Sequence, residues 1–79
     1  MTEAEIIDRI EALVRDELDD DAISIQRSTR AVDVPGWDSL AHVRIVVAIE
    51  RAFGVRFPMS AIGDVRDVGG LVDLIRRTA

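Results

Sequence analysis

The residues best suited to chemistry lie near the middle of the chain, in the stretch that begins at Gly36 and reads GWDSLAHV. Asp38 and Ser39 are residue types that begin helices, because their side-chain oxygens accept hydrogen bonds from first-turn N–H groups that lack partners. A long apolar run follows, from Leu40 to Phe53. Ser39 is therefore predicted to present a hydroxyl at the positive end of a helix dipole, where free N–H groups favour a phosphate.

His42 is the only histidine, and it raises the alternative of an activated serine. A spacing of three residues at a helix start could permit a Ser39–His42 pair, but no third group orients the imidazole and no enclosed pocket is indicated. The chain has no cysteine, which excludes disulfides, a thiolate nucleophile and cysteine-ligated metal. The acidic run Asp19–Asp21 lacks the glycine and glutamate that a calcium loop requires. We expect no catalytic residue, no metal site and no enzyme activity.

The two terminal segments show the apolar spacing of amphipathic helices. Thr2 and Glu5 form a capping box, which predicts a first helix from about Glu3 to Glu17. Asp67 predicts the start of a last helix, from Val68 to about Arg77. The buried stripes are expected to consist of Ile6, Ile10, Leu13, Val14 and Leu18 in the first helix, and of Val68, Leu71, Val72 and Ile75 in the last.

The second helix is the most apolar element. It is predicted from about Asp38 to Ala52, and Gly54 is a natural residue to follow its end. A helix with so wide an apolar arc is contacted on more than one side, and the loop, an acyl chain or a partner protein are all open as the second contact. One broad face is expected to consist of Leu40, Val43, Val47 and Ala48, with Val46 and Ile49 beside it.

The connections on either side of the second helix differ in length. Residues 22–36 form a long loop, which is expected to be pinned over the helices by Ile23, Ile25, Val32 and Val34. Pro58 starts one short turn, from Met59 to Ile62, that Gly63 is expected to end. The predicted fold is all-α: a small antiparallel bundle of three main helices and one short helix, in a single domain over residues 1–79.

These motifs together resemble the acyl carrier protein family. Asp38-Ser39-Leu40 at mid-chain, Phe53-Gly54 fourteen residues after the serine, and the tail 67–75 are similar to the family's attachment motif, second-helix exit and last helix. The resemblance implies that Ser39 carries a 4′-phosphopantetheine arm derived from coenzyme A. It also implies that Asp38 caps the helix and assists loading, and that Leu40 belongs to the core or to the base of the arm site.

The resemblance further implies a function and partners. The arm would hold acyl or aminoacyl intermediates as thioesters and deliver them to enzymes of a biosynthetic pathway. The partners would be a phosphopantetheinyl transferase, which loads the arm, and acyl-loading, acyl-transfer or synthase enzymes. The alternative is a cofactor-free helical interaction module with the same fold, and covalent modification at Ser39 distinguishes the two.

Two features resemble specialised carriers more than housekeeping fatty-acid carriers. Trp37 lies two residues before the serine, as in carriers of secondary-metabolite or surface-polymer pathways. Housekeeping carriers present an acidic second helix to basic partners, whereas residues 38–56 here hold two acids and three arginines. We therefore expect partners other than the general fatty-acid enzymes, or docking with less charge steering.

A pocket for the carried group is expected between the second helix and the segment after it. A bundle this small has little spare volume, so a short or polar cargo fits as well as a long chain. The candidate lining residues are Leu40, Val43, Val47, Phe57, Ala61 and Ile62.

The overall composition excludes further classes. The net charge is −5, with nine acids and two arginines in residues 1–21 and six acids and eight arginines in residues 22–79. An acidic chain argues against nucleic acid as a partner. No apolar run has membrane-spanning length and the N-terminus is acidic, so we expect no membrane insertion and a cytoplasmic location. Met1 and the capped start at Thr2 favour a free-standing protein, which we expect to be monomeric.

Overall fold

The computed structural model of the protein describes residues 1–78. Its helices are α1 (Glu3–Leu18), α2 (Ser39–Phe53), α3 (Met59–Asp64) and α4 (Val68–Thr78), and a 3-10 turn, Ala31–Asp33, lies in the loop between α1 and α2. α1 packs against both α2 and α4. The predicted all-α bundle of three main helices and one short helix is confirmed. Within residues 1–78, no helix is both long enough and apolar enough to cross a bilayer.

α1 begins at the predicted capping box. The Thr2 hydroxyl accepts from the Glu5 backbone N–H at 3.2 Å, and the Thr2 N–H donates to the Glu5 carboxylate at 2.9 Å. The hydrogen bond from the Thr2 backbone, and then the one from its hydroxyl, lower the pKa of the Glu5 carboxyl. The helix ends one residue later than predicted, at Leu18, because Asp19 adopts the left-handed conformation at φ 51° and its N–H caps the last turn.

The core is aliphatic and lies between α1, α2 and α4. The four residues of α4 that were predicted to be buried are buried, and Leu74 is buried beside them. Leu13 and Leu18 of α1 were also predicted to be buried but are only partly buried. The largest side chains with almost no exposed surface are Ile10, Val14, Ile45, Val46, Ile49, Val68, Leu71 and Val72.

The sequence left open which side of α2 faces the core, and the structure shows that it is not the broad face around Leu40, Val43 and Val47. Leu40, Val43 and Val47 are 62%, 54% and 38% exposed. The residues that α2 buries are Ala41, Ile45, Val46 and Ile49. Both faces of this helix are apolar, so periodicity alone does not show which one points inward. α2 ends at Phe53, one residue later than predicted, and Gly54 follows it as predicted, in the left-handed conformation at φ 66°.

The long loop is anchored by three of the four predicted side chains. Ile23, Ile25 and Val34 are buried, but Val32 is 81% exposed, so its predicted role as an anchor is wrong. Val32 lies in the 3-10 turn, whose tight i→i+3 geometry separates its direction from that of Val34.

Backbone hydrogen bonds attach the same loop to the start of α4. The N–H of Ala31 donates to the carbonyl of Arg66 at 3.2 Å, and the N–H of Val68 donates to Thr29 at 2.9 Å. The N–H of Gly69 donates to the Arg27 carbonyl at 2.8 Å. We call these contacts between residues 27–31 and 66–69 the loop–α4 seam. The seam fixes the part of the loop that leads to α2.

α3 is longer than predicted. It begins at Met59, after Pro58, but continues to Asp64, so Gly63 lies inside the helix and does not end it. Glycine costs about 1 kcal/mol in a helix interior, which is too little to stop a turn that other residues support.

Candidate functional site

A sharp turn directs the chain into α2. The N–H of Trp37 donates to the Val34 carbonyl at 3.1 Å, and the N–H of Asp38 donates to the Gly36 carbonyl at 3.0 Å. Gly36 has φ +88°, a conformation that L side chains rarely adopt. The turn therefore depends on glycine at this position, and it places Asp38 immediately before the helix.

Asp38 is the N-cap of α2, as predicted. Its carboxylate accepts from the Ala41 backbone N–H at 2.8 Å, and its carbonyl accepts from the His42 N–H at 2.8 Å. Asp38 itself is extended, at φ −93° and ψ −174°. These bonds hold the first turn of α2 rigid, so the residue that follows the cap has a fixed position.

Ser39 is the first residue of α2 and its side chain is exposed. Within residues 1–78 no hydrogen bond engages its hydroxyl. Leu40 comes next, and at 62% exposure it does not belong to the core. The three residues of the predicted site therefore lie together at one helix start, with a cap, a free hydroxyl and an exposed apolar side chain.

An open cleft of about 580 Å³ borders Ser39. It lies between the loop, the start of α2 and the end of α3, and its lining differs from the predicted pocket. Of the six candidate residues only Ile62 lines it. Leu40, Val43 and Val47 are exposed, Phe57 is buried, and Ala61 is partly buried against the core. The cleft is lined by Arg30, Ala31, Val32, Trp37, Asp38, Ser39, His42, Ile62, Gly63, Val65 and Arg66.

Trp37 and His42 form a pair on this cleft that sequence reasoning missed. The indole N–H of Trp37 donates to Nδ1 of His42 at 3.1 Å, and the ring centroids are 6.1 Å apart at an interplanar angle of 28°. Trp37 is only 7% exposed, so it is a buried anchor of the loop. Since His42 is engaged by Trp37, with no bond to Ser39 within residues 1–78, the arrangement is not a nucleophile–base pair. The sequence offered one hint of this pair, which is that Trp37 and His42 lie five residues apart on either side of the predicted start of α2.

The exposed side of α2 is apolar and positively charged. Arg44 and Arg51 lie on it among Leu40, Val43 and Val47, and neither arginine forms an ion pair within the part of the chain that the structure describes. The only carboxylate inside α2, that of Glu50, accepts from the Phe57 backbone N–H at 2.8 Å. We call these five exposed residues the outer face of α2.

The chain matches known proteins over most of its length. A family model described as the phosphopantetheine attachment site matches residues 8–75. An acyl carrier protein from Sinorhizobium fredii (strain NBRC 101917 / NGR234) is 34% identical over 74 residues, or 94% of this chain and 95% of that protein. An acyl carrier protein from Caulobacter vibrioides is 31% identical over 72 residues, covering 91% and 92%. The solution structure of a holo acyl carrier protein from Geobacter metallireducens superposes with a TM-score of 0.82, at 32% identity over 91% of this chain and 83% of that one.

The chain therefore belongs to the phosphopantetheine attachment site family, as an acyl carrier protein. Proteins of this class are carriers and not enzymes, and their cofactor is a covalently attached 4′-phosphopantetheine. The residues present fit such a group, because an exposed and unbonded hydroxyl borders a cleft that is open to solvent.

Proposed function

We propose that Ser39 carries the phosphopantetheine arm, and that the chain delivers acyl or aminoacyl groups on it to partner enzymes of a biosynthetic pathway. The observation that carries this proposal is the free Ser39 hydroxyl, held at the first position of a capped helix beside an open cleft. We further propose that residues 1–79 act as one carrier domain and as a monomer.

Each residue of the site has a defined part in this function. Asp38 keeps the first turn of α2 in place, so a transferase meets the Ser39 hydroxyl at a constant position. The exposed side chain of Leu40 offers that enzyme an apolar contact beside the hydroxyl. The arm supplies a thiol that a chain without cysteine lacks, and a thioester on it keeps the acyl group both activated and tethered.

The test is the intact mass of the protein after incubation with coenzyme A, Mg²⁺ and a broad-specificity phosphopantetheinyl transferase. The native chain is expected to gain one phosphopantetheine, and Ser39→Ala none. Ser60→Ala is the matched control, because Ser60 is also an exposed serine on a helix. An unmodified native chain that is shown to be folded would contradict the proposal.

We also propose that the partners are those of a specialised carrier and that they meet the outer face of α2. Arginines without ion pairs beside exposed apolar side chains suit a partner surface with an apolar centre and acidic residues around it. Housekeeping carriers present an acidic second helix, whereas this helix carries Arg44 and Arg51. This difference supports partners other than the enzymes of general fatty-acid synthesis.

Charge reversal tests this partner proposal. Arg44→Glu with Arg51→Glu is expected to slow transfer by the native partner about tenfold or more at low salt, and by less as salt is added. Arg76→Glu with Arg77→Glu changes the net charge equally on α4 and serves as the control. Equal rates for the native chain and the α2 variant would exclude charge steering by this face.

The second candidate function is a cofactor-free interaction module. The exposed apolar outer face of α2 favours it, because such a face can dock a partner without any arm. The two functions differ in one observable, which is covalent modification at Ser39: the carrier gains the arm there, whereas the module stays unmodified and still binds its partner.

A further inference from the structure

The cleft beside Ser39 contains the chain's only tryptophan and only histidine, in direct contact. Trp37 belongs to the loop, and His42 is one turn into α2. Their hydrogen bond therefore joins two of the elements that form the cleft. Both side chains also line a smaller gap together with Val65 and the buried Leu71, so the pair borders the open cleft on one part of its surface and the core on another.

The hydrogen bond requires one protonation state of His42. A neutral imidazole accepts at only one of its nitrogens, so acceptance at Nδ1 places the proton on Nε2. The imidazolium form carries protons on both nitrogens and cannot accept from the indole. Protonation would leave the N–H of a buried tryptophan without an acceptor, which is unfavourable.

Charged groups from three elements surround the pair. Arg30 comes from the loop, Asp38 from the start of α2, and Arg66 and Asp67 from the connection between α3 and α4. Three of these groups have other partners: Arg30 is paired with Asp33 at 3.1 Å, and the Asp38 and Asp67 carboxylates accept from the backbone N–H groups of Ala41 and Gly70. The hydrogen bond with Trp37 is the direct contact of His42 with a side chain of the cleft.

We propose that Trp37 and His42 form a proton-sensitive wall of the cleft that receives the arm: neutral His42 holds the indole in place, and protonation of His42 releases it. The arm is the occupant because Ser39, its attachment point, lines the same cleft. This inference rests on the proposed function of Ser39. His42 acts here as a positioning residue, through Trp37, and takes no part in bond making.

Tryptophan fluorescence between pH 5 and 8, the range in which histidine titrates, tests the wall in the apo protein. Because Trp37 is the only tryptophan, the native chain should lose emission along a single titration step as the pH falls. In His42→Asn the side-chain amide keeps an acceptor near the position of Nδ1 but does not titrate, so its emission should stay constant over this range. The side-chain nitrogen shifts of His42 in the native protein provide a reading that needs no variant, and should show the Nε2–H tautomer at pH 8.

The holo protein, whose loading is verified by its intact mass, tests whether the arm occupies the cleft. At pH 7.5 its Trp37 indole N–H shift should differ from that of the apo protein, and the difference should shrink at pH 5. A native apo protein whose emission does not change between pH 5 and 8 would overturn the proposal. Identical Trp37 and His42 shifts in apo and holo protein would also overturn it. If the mass shows no loading, the carrier proposal fails instead, and the apo titration still decides whether the pair responds to protons.

Discussion

Arg27 and Arg44 are both exposed arginines, yet their surroundings differ completely. Arg27 donates to the Glu3 carboxylate at 2.6 Å and to both oxygens of Asp73 at 3.1 and 2.9 Å. The hydrogen bonds to Asp73 are the main cause that raises the pKa of Arg27 above its usual value. Arg44, on the outer face of α2, has no ion pair within residues 1–78. One arginine joins α1, the loop and α4, while the other has no ion-pair partner among the described residues.

The loop–α4 seam, which contains Arg27, and the outer face of α2, which contains Arg44, also differ in how closely they are packed. At the loop–α4 seam, Gly69 lies so close to the loop that an added Cβ would be 2.9 Å from the Arg27 side chain and 3.1 Å from its carbonyl oxygen. On the outer face of α2, large apolar side chains extend into solvent. The seam therefore holds the loop and the turn before Ser39 in place, whereas the outer face contributes little to the packing of the fold.

The largest expected effect separates the two faces of α2 by comparing the same change, valine to alanine, on each face. Val46 is 2% exposed and Val43 is 54% exposed, one turn apart on the same helix. Val46→Ala should lower the free energy of unfolding by about 2 kcal/mol, since it removes two buried carbons and leaves a cavity. Val43→Ala should change it by less than about 0.5 kcal/mol. Urea unfolding measures both, and equal losses would contradict the assignment of the faces.

The second prediction tests how closely Gly69 of α4 approaches Arg27 of the loop at the loop–α4 seam. Gly69→Ala should destabilise the protein by roughly 1–2 kcal/mol, because the new methyl group meets the Arg27 carbonyl, which cannot move freely. Gly63→Ala is the matched control, because nothing lies within 4 Å of its Cβ position and alanine favours a helix. Thermal unfolding should show a lower midpoint for the first variant and an equal or higher one for the second.

The smallest effect compares the two arginines directly. Arg27→Gln should lower stability, and the loss should shrink in high salt because its ion pairs are exposed and screened. Arg44→Gln should leave stability unchanged and affect only transfer to a partner. A stability loss for Arg44→Gln equal to that for Arg27→Gln would mean that the outer face is structural as well.

Local sequence chemistry was sufficient to predict the helix starts. Thr2 with Glu5, Asp38 and Asp67 are caps whose bonds span only three residues, and each has its expected partner: Asp67 accepts from the Gly70 N–H at 2.7 Å. The Gly54 end of α2 is equally local. These motifs placed Ser39 correctly at the first position of α2.

The contacts that the sequence did not reveal depend on tertiary packing. Arg27 pairs with Asp73 across 46 residues, a separation at which no local pattern operates. The apolar residues of α2 cover both faces, so only its packing against α1 shows that Leu40 and Val43 point outward. The Trp37–His42 bond depends on the turn at Gly36, and without it His42 had no visible partner.

Fragmentation mass spectrometry of the loaded native chain locates the modification and so tests whether Ser39 is the attachment residue. We expect a single phosphopantetheine on Ser39, with Ser24, Ser28 and Ser60 unmodified, although all four serines are exposed. A modification on another serine, or a folded chain that the transferase leaves unmodified, would contradict this expectation.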